Sequence, residues 1–171
     1  KDIYKQQKTV LISSTSTSTD LTNNNADNFF FRVCSNNKIS GKEIATYLKD
    51  RKYTKIALFH TNGKKFSDSM TVALKGNIQG ISIVEESNFE PNGHAIDELK
   101  RAQKAGAQAI VLIPDAYTSD APERDRLLSI IDANNGKLPI IGNEIVNDPT
   151  LFTRFTDRQL QKLVISLPWH S

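Results

Sequence analysis

Cysteine occurs once in the 171 residues, as Cys34, and methionine and tryptophan occur once each. A lone cysteine forms no internal disulfide and supplies no metal site. As a catalytic thiol it needs a histidine partner. His60, His94 and His170 stand in no recognisable pattern with it, so Cys34 reads as a small buried residue. No apolar run reaches the length of a membrane span. An excess of one charge is also missing: 22 Lys and Arg stand against 19 Asp and Glu, for a net +3. That balance, with basic residues clustered no further than pairs such as Lys64-Lys65, gives no footprint for nucleic acid or a membrane surface. No signal peptide and no initiator methionine precede Lys1. The chain stops at Pro168-Trp169-His170-Ser171, directly after an apolar run, so both ends read as cut from a longer protein.

The motifs of several chemistries are missing too. No G-x-G-x-x-G follows a strand, and no G-x-x-x-x-G-K-[ST] is present: Asn62-Gly63-Lys64-Lys65 lacks the upstream glycine. There is no G-x-S-x-G elbow for a nucleophilic serine and no H-E-x-x-H or paired Cys/His set for a metal. Asp115, Asp120 and Glu144 could meet at one rim, but acids at strand ends more often cap helices or face water. The sequence therefore predicts no enzyme, no cofactor and no metal.

What is there is a rhythm. Residues 9–12 and 29–33 are short β-prone runs flanking a polar tract rich in Ser, Thr and Asn. From Gly41 onward, helical periodicity alternates with short apolar strands. Helices are predicted from Gly41 (Ile44, Ala45 and Leu48 inward), from Phe66 (with Met70, Leu74 and Ile78) and from His94 (Ile96, Leu99 and Ala102 inward). Others start near Asp120-Ala121-Pro122-Glu123, where Glu123 can close a capping box, and at Asp148-Pro149. Strands are predicted near 55–60, 81–87, 108–113, 139–142 and 163–167. Strand and helix alternating in this way give an α/β fold, a three-layer αβα sandwich around a mostly parallel, doubly wound sheet. Ligands of such sheets sit beyond the carboxyl ends of the strands, so the loops at 60–66, 88–93, 114–121 and 143–149 are the ones to watch.

Three segments, in order and spacing, resemble the type I periplasmic solute-binding proteins of the branched-chain amino acid class, the receptors of ABC transporters. The first is Ile12 through Thr22 (Ile-Ser-Ser-Thr-Ser-Thr-Ser-Thr-Asp-Leu-Thr), then Phe30-Phe31-Arg32-Val33. The second is the Gly41 helix, the strand at 56–59 and the loop to Phe66. The third is the strand at 109–113 followed by Ile140-Ile141-Gly142-Asn143-Glu144. The tail Leu167-Pro168-Trp169 also fits. The resemblance implies a two-lobed protein that closes like a hinge on its ligand. Residues 1–30 would be the end of lobe one with the crossover, and residues 31–171 would be lobe two. It implies an extracytoplasmic setting, periplasmic or extracellular, a small-molecule ligand such as an amino acid, and a permease partner in the membrane. The same fold also serves as the ligand-binding sensor domain of membrane receptors. A doubly wound enzyme is a third reading, which the missing motifs disfavour.

Residue by residue, the resemblance assigns the ligand's carboxylate to Thr15, Ser16 and Thr17, whose hydroxyl and amide donors suit an anion. It assigns the ligand's ammonium to Glu144, an apolar wall to Phe66 and a further contact to Tyr117. Each has a plainer alternative: the Ser/Thr run as a linker, Glu144 as an acid approaching a helix, Phe66 as core continuing the Met70–Leu74 stripe. Phe66 stands where the family typically has Tyr, and Ser67 where it often has Gly. With most of lobe one absent, residues 10–12 are expected to pack on a second copy as an exchanged arm of a homodimer, or to fold back onto an edge of their own sheet.

Overall fold

The structure is a computed structural model that describes residues 6–22, 29–89, 94–115 and 121–168. Its centre is a five-stranded, wholly parallel sheet of β3 (Lys55–His60), β4 (Ser82–Asn88), β5 (Ala109–Ile113), β6 (Ile140–Gly142) and β7 (Leu163–Ile165), in the order β4-β3-β5-β6-β7. The inner strands are apolar on both sides because both sides are covered. Ala57, Phe59, Ile110, Leu112 and Ile140 enter one core cluster, and Ile56, Leu58, Ala109, Val111, Ile113 and Ile141 enter the other.

Helices α1 (Asn37–Asp50) and α2 (Lys65–Lys75) cover the second cluster through Ile44, Leu48, Met70 and Leu74. Helices α3 (Ala95–Lys104) and α4 (Ala121–Asn134) cover the first through Leu99, Leu127 and Ile131. The result is the expected three-layer αβα sandwich. Two short helices, α5 (Pro149–Arg154) and α6 (Asp157–Leu160), lead into β7.

Edge strand β4 is the polar one, and its charges fasten it. Glu85 pairs with Arg101 of α3 at 2.6 Å, and Glu86 with Lys75 of α2 at 2.6 Å and with His60 Nε2 at 2.8 Å. An edge strand carrying charge is poorly suited to recruit further strands.

Two expectations about helices need correction. α1 begins at Asn37, four residues before Gly41, because the Asn36 side chain accepts the Ile39 N–H at 3.0 Å and so caps an earlier turn. Ile96 of α3 points outward, 60% exposed. The inward face is Ala95, Glu98, Leu99 and Ala102, and Glu98 is buried against Arg126 of α4. A paired acid can occupy the seam position that periodicity awards to an isoleucine.

The arm at the start of the chain joins neither edge of the large sheet. β1 (Leu11–Ser13) pairs in parallel with β2 (Phe30–Arg32) in a sheet of their own, with Leu11 opposite Phe30 and Ser13 opposite Arg32. The nearest partner of β potential in sequence takes the strand. The segment after β2 is tied to the far end of the chain by the Ser35 N–H, which donates to Pro168 O at 2.8 Å.

Gly41 sits mid-helix at the crossing of α1 with α2. A Cβ there would lie 2.5 Å from Met70 O and 2.8 Å from Ala73 Cβ. Propensity alone would favour alanine by about 1 kcal/mol. Overpacking backbone costs about 1–3 kcal/mol, so sterics win. Gly41→Ala is expected to lower stability in a urea titration, and a raised midpoint would contradict this packing.

Candidate functional site

Numbered along the chain, the large sheet runs 2-1-3-4-5, and its order reverses between β3 and β5. Helices leave the two strands toward opposite faces, and a crevice opens at their carboxyl ends. The residues that build this rim are short and polar.

Ser67 is its knot. Wholly buried, its hydroxyl donates to Ile113 O at the end of β5 (2.6 Å) and accepts the Thr61 N–H at the end of β3 (2.9 Å). Its own N–H donates to Asp115 Oδ1 at 3.2 Å. Lys64, the residue before α2, offers no side-chain cap. Asp115 supplies one from another loop, where a carboxylate is favoured by the helix dipole. Thr61 donates its hydroxyl to Glu123 of α4. Glu123 thus reaches across the crevice to bind the loop after β3.

Beyond β6, Asn143 plays the corresponding part. Its N–H donates to Leu112 O at 3.2 Å, its Nδ2 to Pro114 O at 2.9 Å, and its Oδ1 accepts the Ile145 N–H at 3.2 Å. The chain then makes a 3-10 turn, Glu144–Val146, folded so closely onto Gly142 that a Cβ there would lie 2.7 Å from Val146. Glu144 therefore follows β6 at the same carboxyl rim as the loop that leads from β3 to Phe66, two strands along.

The Glu144 carboxyl is out of balance. Its Oε2 is buried with no hydrogen-bond partner among the described residues. Burial raises its pKa above the ordinary carboxylate value, an effect partly offset by a hydrogen bond from its own backbone N–H.

The other expected site residues divide. Thr17 is buried, Ser16 half-buried and Thr15 exposed. Thr17 is drawn to the rim by Asn37, whose N–H donates to Thr17 O at 2.9 Å and whose Nδ2 reaches Ser69 Oγ at 2.9 Å and Phe66 O at 3.5 Å. Phe66 is half-buried and packs its ring on the α1–α2 core cluster, so it serves the core as well as the rim. Tyr117 and Asp120 lie outside the described residues. A groove of about 620 Å³ runs the length of α2 beside the loop, lined by Ser18, Asp20, Lys38, Lys65, Val72 and Gly76 among others, and Glu144 is not in its lining. Among the described residues no three His, Cys, Asp or Glu side chains gather as a metal set, and no helix is long and apolar enough to cross a membrane.

Sequence reasoning noted Ser67 only as a departure from glycine, and passed over Thr61 and Asn143. For Thr61 and Asn143 the signal available was position: each lies just past the end of an apolar strand, where a small polar side chain can bond a neighbouring loop, whereas Ser67 sits in the first turn of α2.

No protein-family model matches the chain, and no curated protein matches it by sequence. Solved structures do match its fold. An ABC transporter substrate-binding protein from Desulfitobacterium hafniense, in complex with Leu, superposes with a TM-score of 0.69 at 22% identity, over 83% of this chain and 42% of that one. An ABC transporter substrate-binding protein from the same organism gives 0.67 at 24% identity, over 83% and 41%. The chain thus has the fold of a periplasmic-binding-protein lobe, and it spans about two fifths of the length of those structures.

Two outcomes follow from the rim. Ser67→Ala removes two buried hydrogen bonds and leaves the Thr61 N–H and Ile113 O only their mutual 3.3 Å bond, and is expected to cost about 1–3 kcal/mol in denaturant titration. For Glu144 the folded-state pKa lies above the unfolded one, so its destabilising share is nil at pH below the unfolded value. The penalty grows as pH rises toward the folded value and then levels off. Glu144→Gln should therefore be more stable than the parent at pH 7, with the difference closing as pH falls below about 4. A difference independent of pH would contradict the burial of that carboxyl.

Proposed function

We propose that this chain is lobe two, with the end of lobe one, of an extracytoplasmic solute-binding protein that delivers an amino acid or similar small polar solute to a membrane transporter. Residues 1–30 belong to lobe one and residues 31–171 to lobe two in this reading. The observation that carries it is the buried, unpartnered carboxylate oxygen of Glu144 at the carboxyl rim of a parallel sheet. Such an oxygen asks for a cation, and a ligand ammonium supplies the charge and the donors together.

The rest of the ligand follows from chemistry. Thr15, Ser16 and Thr17 offer hydroxyl and amide donors to a carboxylate, Phe66 offers an apolar edge to a side chain, and Tyr117 adds a contact from the loop after β5. The Leu complex of a structural neighbour agrees with a ligand of this class.

The β1–β2 sheet supports the two-lobe reading. Parallel strands are ordinarily covered on both faces, and two strands alone are marginal in water. Here Leu11, Ile12, Phe31 and Val33 are 42–77% exposed. In this reading β1 belongs to a lobe-one sheet whose other strands lie elsewhere in the longer polypeptide, and β2, which pairs with it, straddles the crossover at residue 30. The segments joined by the Ser35–Pro168 hydrogen bond pass between the lobes as the hinge, and closure brings the two halves of the site onto the ligand.

Titration calorimetry with leucine, isoleucine and valine tests this. The 171-residue chain should show no tight binding, because half a site keeps a fraction of the binding free energy. The two-lobed protein should bind, and Glu144→Gln there should weaken binding by about 30- to 1,000-fold, as expected for losing a buried charged hydrogen bond. Micromolar binding by the 171-residue chain alone would contradict a site between lobes.

A further inference from the structure

The peptide groups of the Ser/Thr loop are satisfied on one side only. Ser16 O accepts from Arg32 Nη1 at 3.1 Å and from Cys34 Sγ at 3.7 Å. Ser18 O accepts from the same Nη1 at 2.9 Å, and Arg32 Nη2 donates to the Thr22 hydroxyl at 2.5 Å. Thr17 O accepts the Asn37 N–H. Three consecutive carbonyls are thus taken by residues 32–37.

The N–H groups tell the opposite story. The Ser16 N–H donates to Ser13 Oγ at 3.0 Å and the Asp20 N–H to Ser18 Oγ at 3.3 Å. Between them, the N–H groups of Thr17, Ser18 and Thr19 make no hydrogen bond among the described residues, although Thr17 is buried. In a planar trans peptide the C=O and the following N–H point in opposite directions. Pulling the carbonyls of Ser16 and Ser18 onto one guanidinium therefore turns the Thr17 and Thr19 N–H groups to the other side.

We propose that Arg32 is the positioning residue of this loop. By gathering the Ser16 and Ser18 carbonyls and the Thr22 hydroxyl on its own side, it holds the Thr17 and Thr19 N–H groups open to a ligand carboxylate on the other. The inference rests on the solute-binding reading, which makes this loop the carboxylate holder, and it adds a residue that does not touch the ligand. Arginine suits the task because its planar fork reaches several acceptors at fixed angles, whereas lysine presents a point charge. The Phe30 ring, 5.8 Å from the guanidinium carbon, lies beside it on β2.

The test uses the ¹⁵N-labelled 171-residue chain, with sodium acetate as the carboxylate probe and sodium chloride as the ionic-strength control. The Thr17 and Thr19 amide signals should shift saturably with acetate and not with chloride. In Arg32→Lys those shifts should be lost, while the amides of β3 and β5 keep their parent positions. Because lysine keeps the charge, that loss separates geometry from mere electrostatic attraction. Thr22→Val removes one of the three acceptors and should weaken acetate binding without emptying the loop, which gives a second reading should Arg32→Lys fail to fold. Parent-like acetate shifts in either folded variant would overturn the proposal, as would parent amides that ignore acetate. Acetate reports on the loop alone. A two-lobed protein that ignores every amino acid while the loop still takes acetate through Arg32 would overturn the solute reading and leave the positioning role standing.

Discussion

Parallel strands cannot be joined by tight turns. Each must be followed by a segment that carries the chain back over the sheet, and here that segment is a helix on four occasions out of the sequence β3 to β7. The rest of the architecture follows from that constraint. Helices cover both faces, so the inner strands are apolar throughout. Every strand ends at the same edge, so every loop that follows a strand contributes to one rim. The reversal of strand order between β3 and β5 opens a crevice in that rim with no special motif required.

The rim is held by borrowed bonds. Ser67, Asp115, Thr61, Glu123 and Asn143 each satisfy a peptide or hydroxyl group of an element other than their own. Such cross-bonding fixes the loops relative to the sheet and leaves few polar atoms to spare. Against that background Glu144 Oε2 stands out as the one carboxylate oxygen among the buried atoms of the described residues that has no hydrogen-bond partner, and such an oxygen is costly. The same contrast recurs at the Ser/Thr loop, where the carbonyls are satisfied and three N–H groups are not. One place lacks a donor and the other lacks an acceptor, which is the complement of a zwitterion.

Much of this fold was legible because its signals are local. Runs such as Lys55–His60 and Ala109–Ile113 announce buried strands, and the rhythm of strand and helix announces the sandwich. Asn36 as a cap was equally local but was missed, and α1 starts earlier for it. What escaped were contacts over long sequence distances. Ile96 yields the inward face of α3 to Glu98 only because Arg126 waits on α4, 28 residues away. Ser67 matters only because Ile113 and Thr61 end beside it. β1 finds β2 because nothing nearer in the chain competes, and periodicity is silent on pairing. Of the candidate site, the resemblance named Glu144 and the Ser/Thr loop. Arg32, which orders the loop, is visible only once β2 lies beside it.

We propose that Glu144 awaits the ammonium group of an amino acid. This is tested most directly by following the Glu144 carboxyl carbon by NMR through a pH titration of the two-lobed protein, with and without saturating leucine. Burial holds the pKa of this carboxyl above the ordinary carboxylate range in the free form. Leucine should lower it, because an adjacent ammonium favours the charged carboxylate. A Glu144 pKa that leucine leaves unchanged, in a protein that demonstrably binds leucine, would contradict the account.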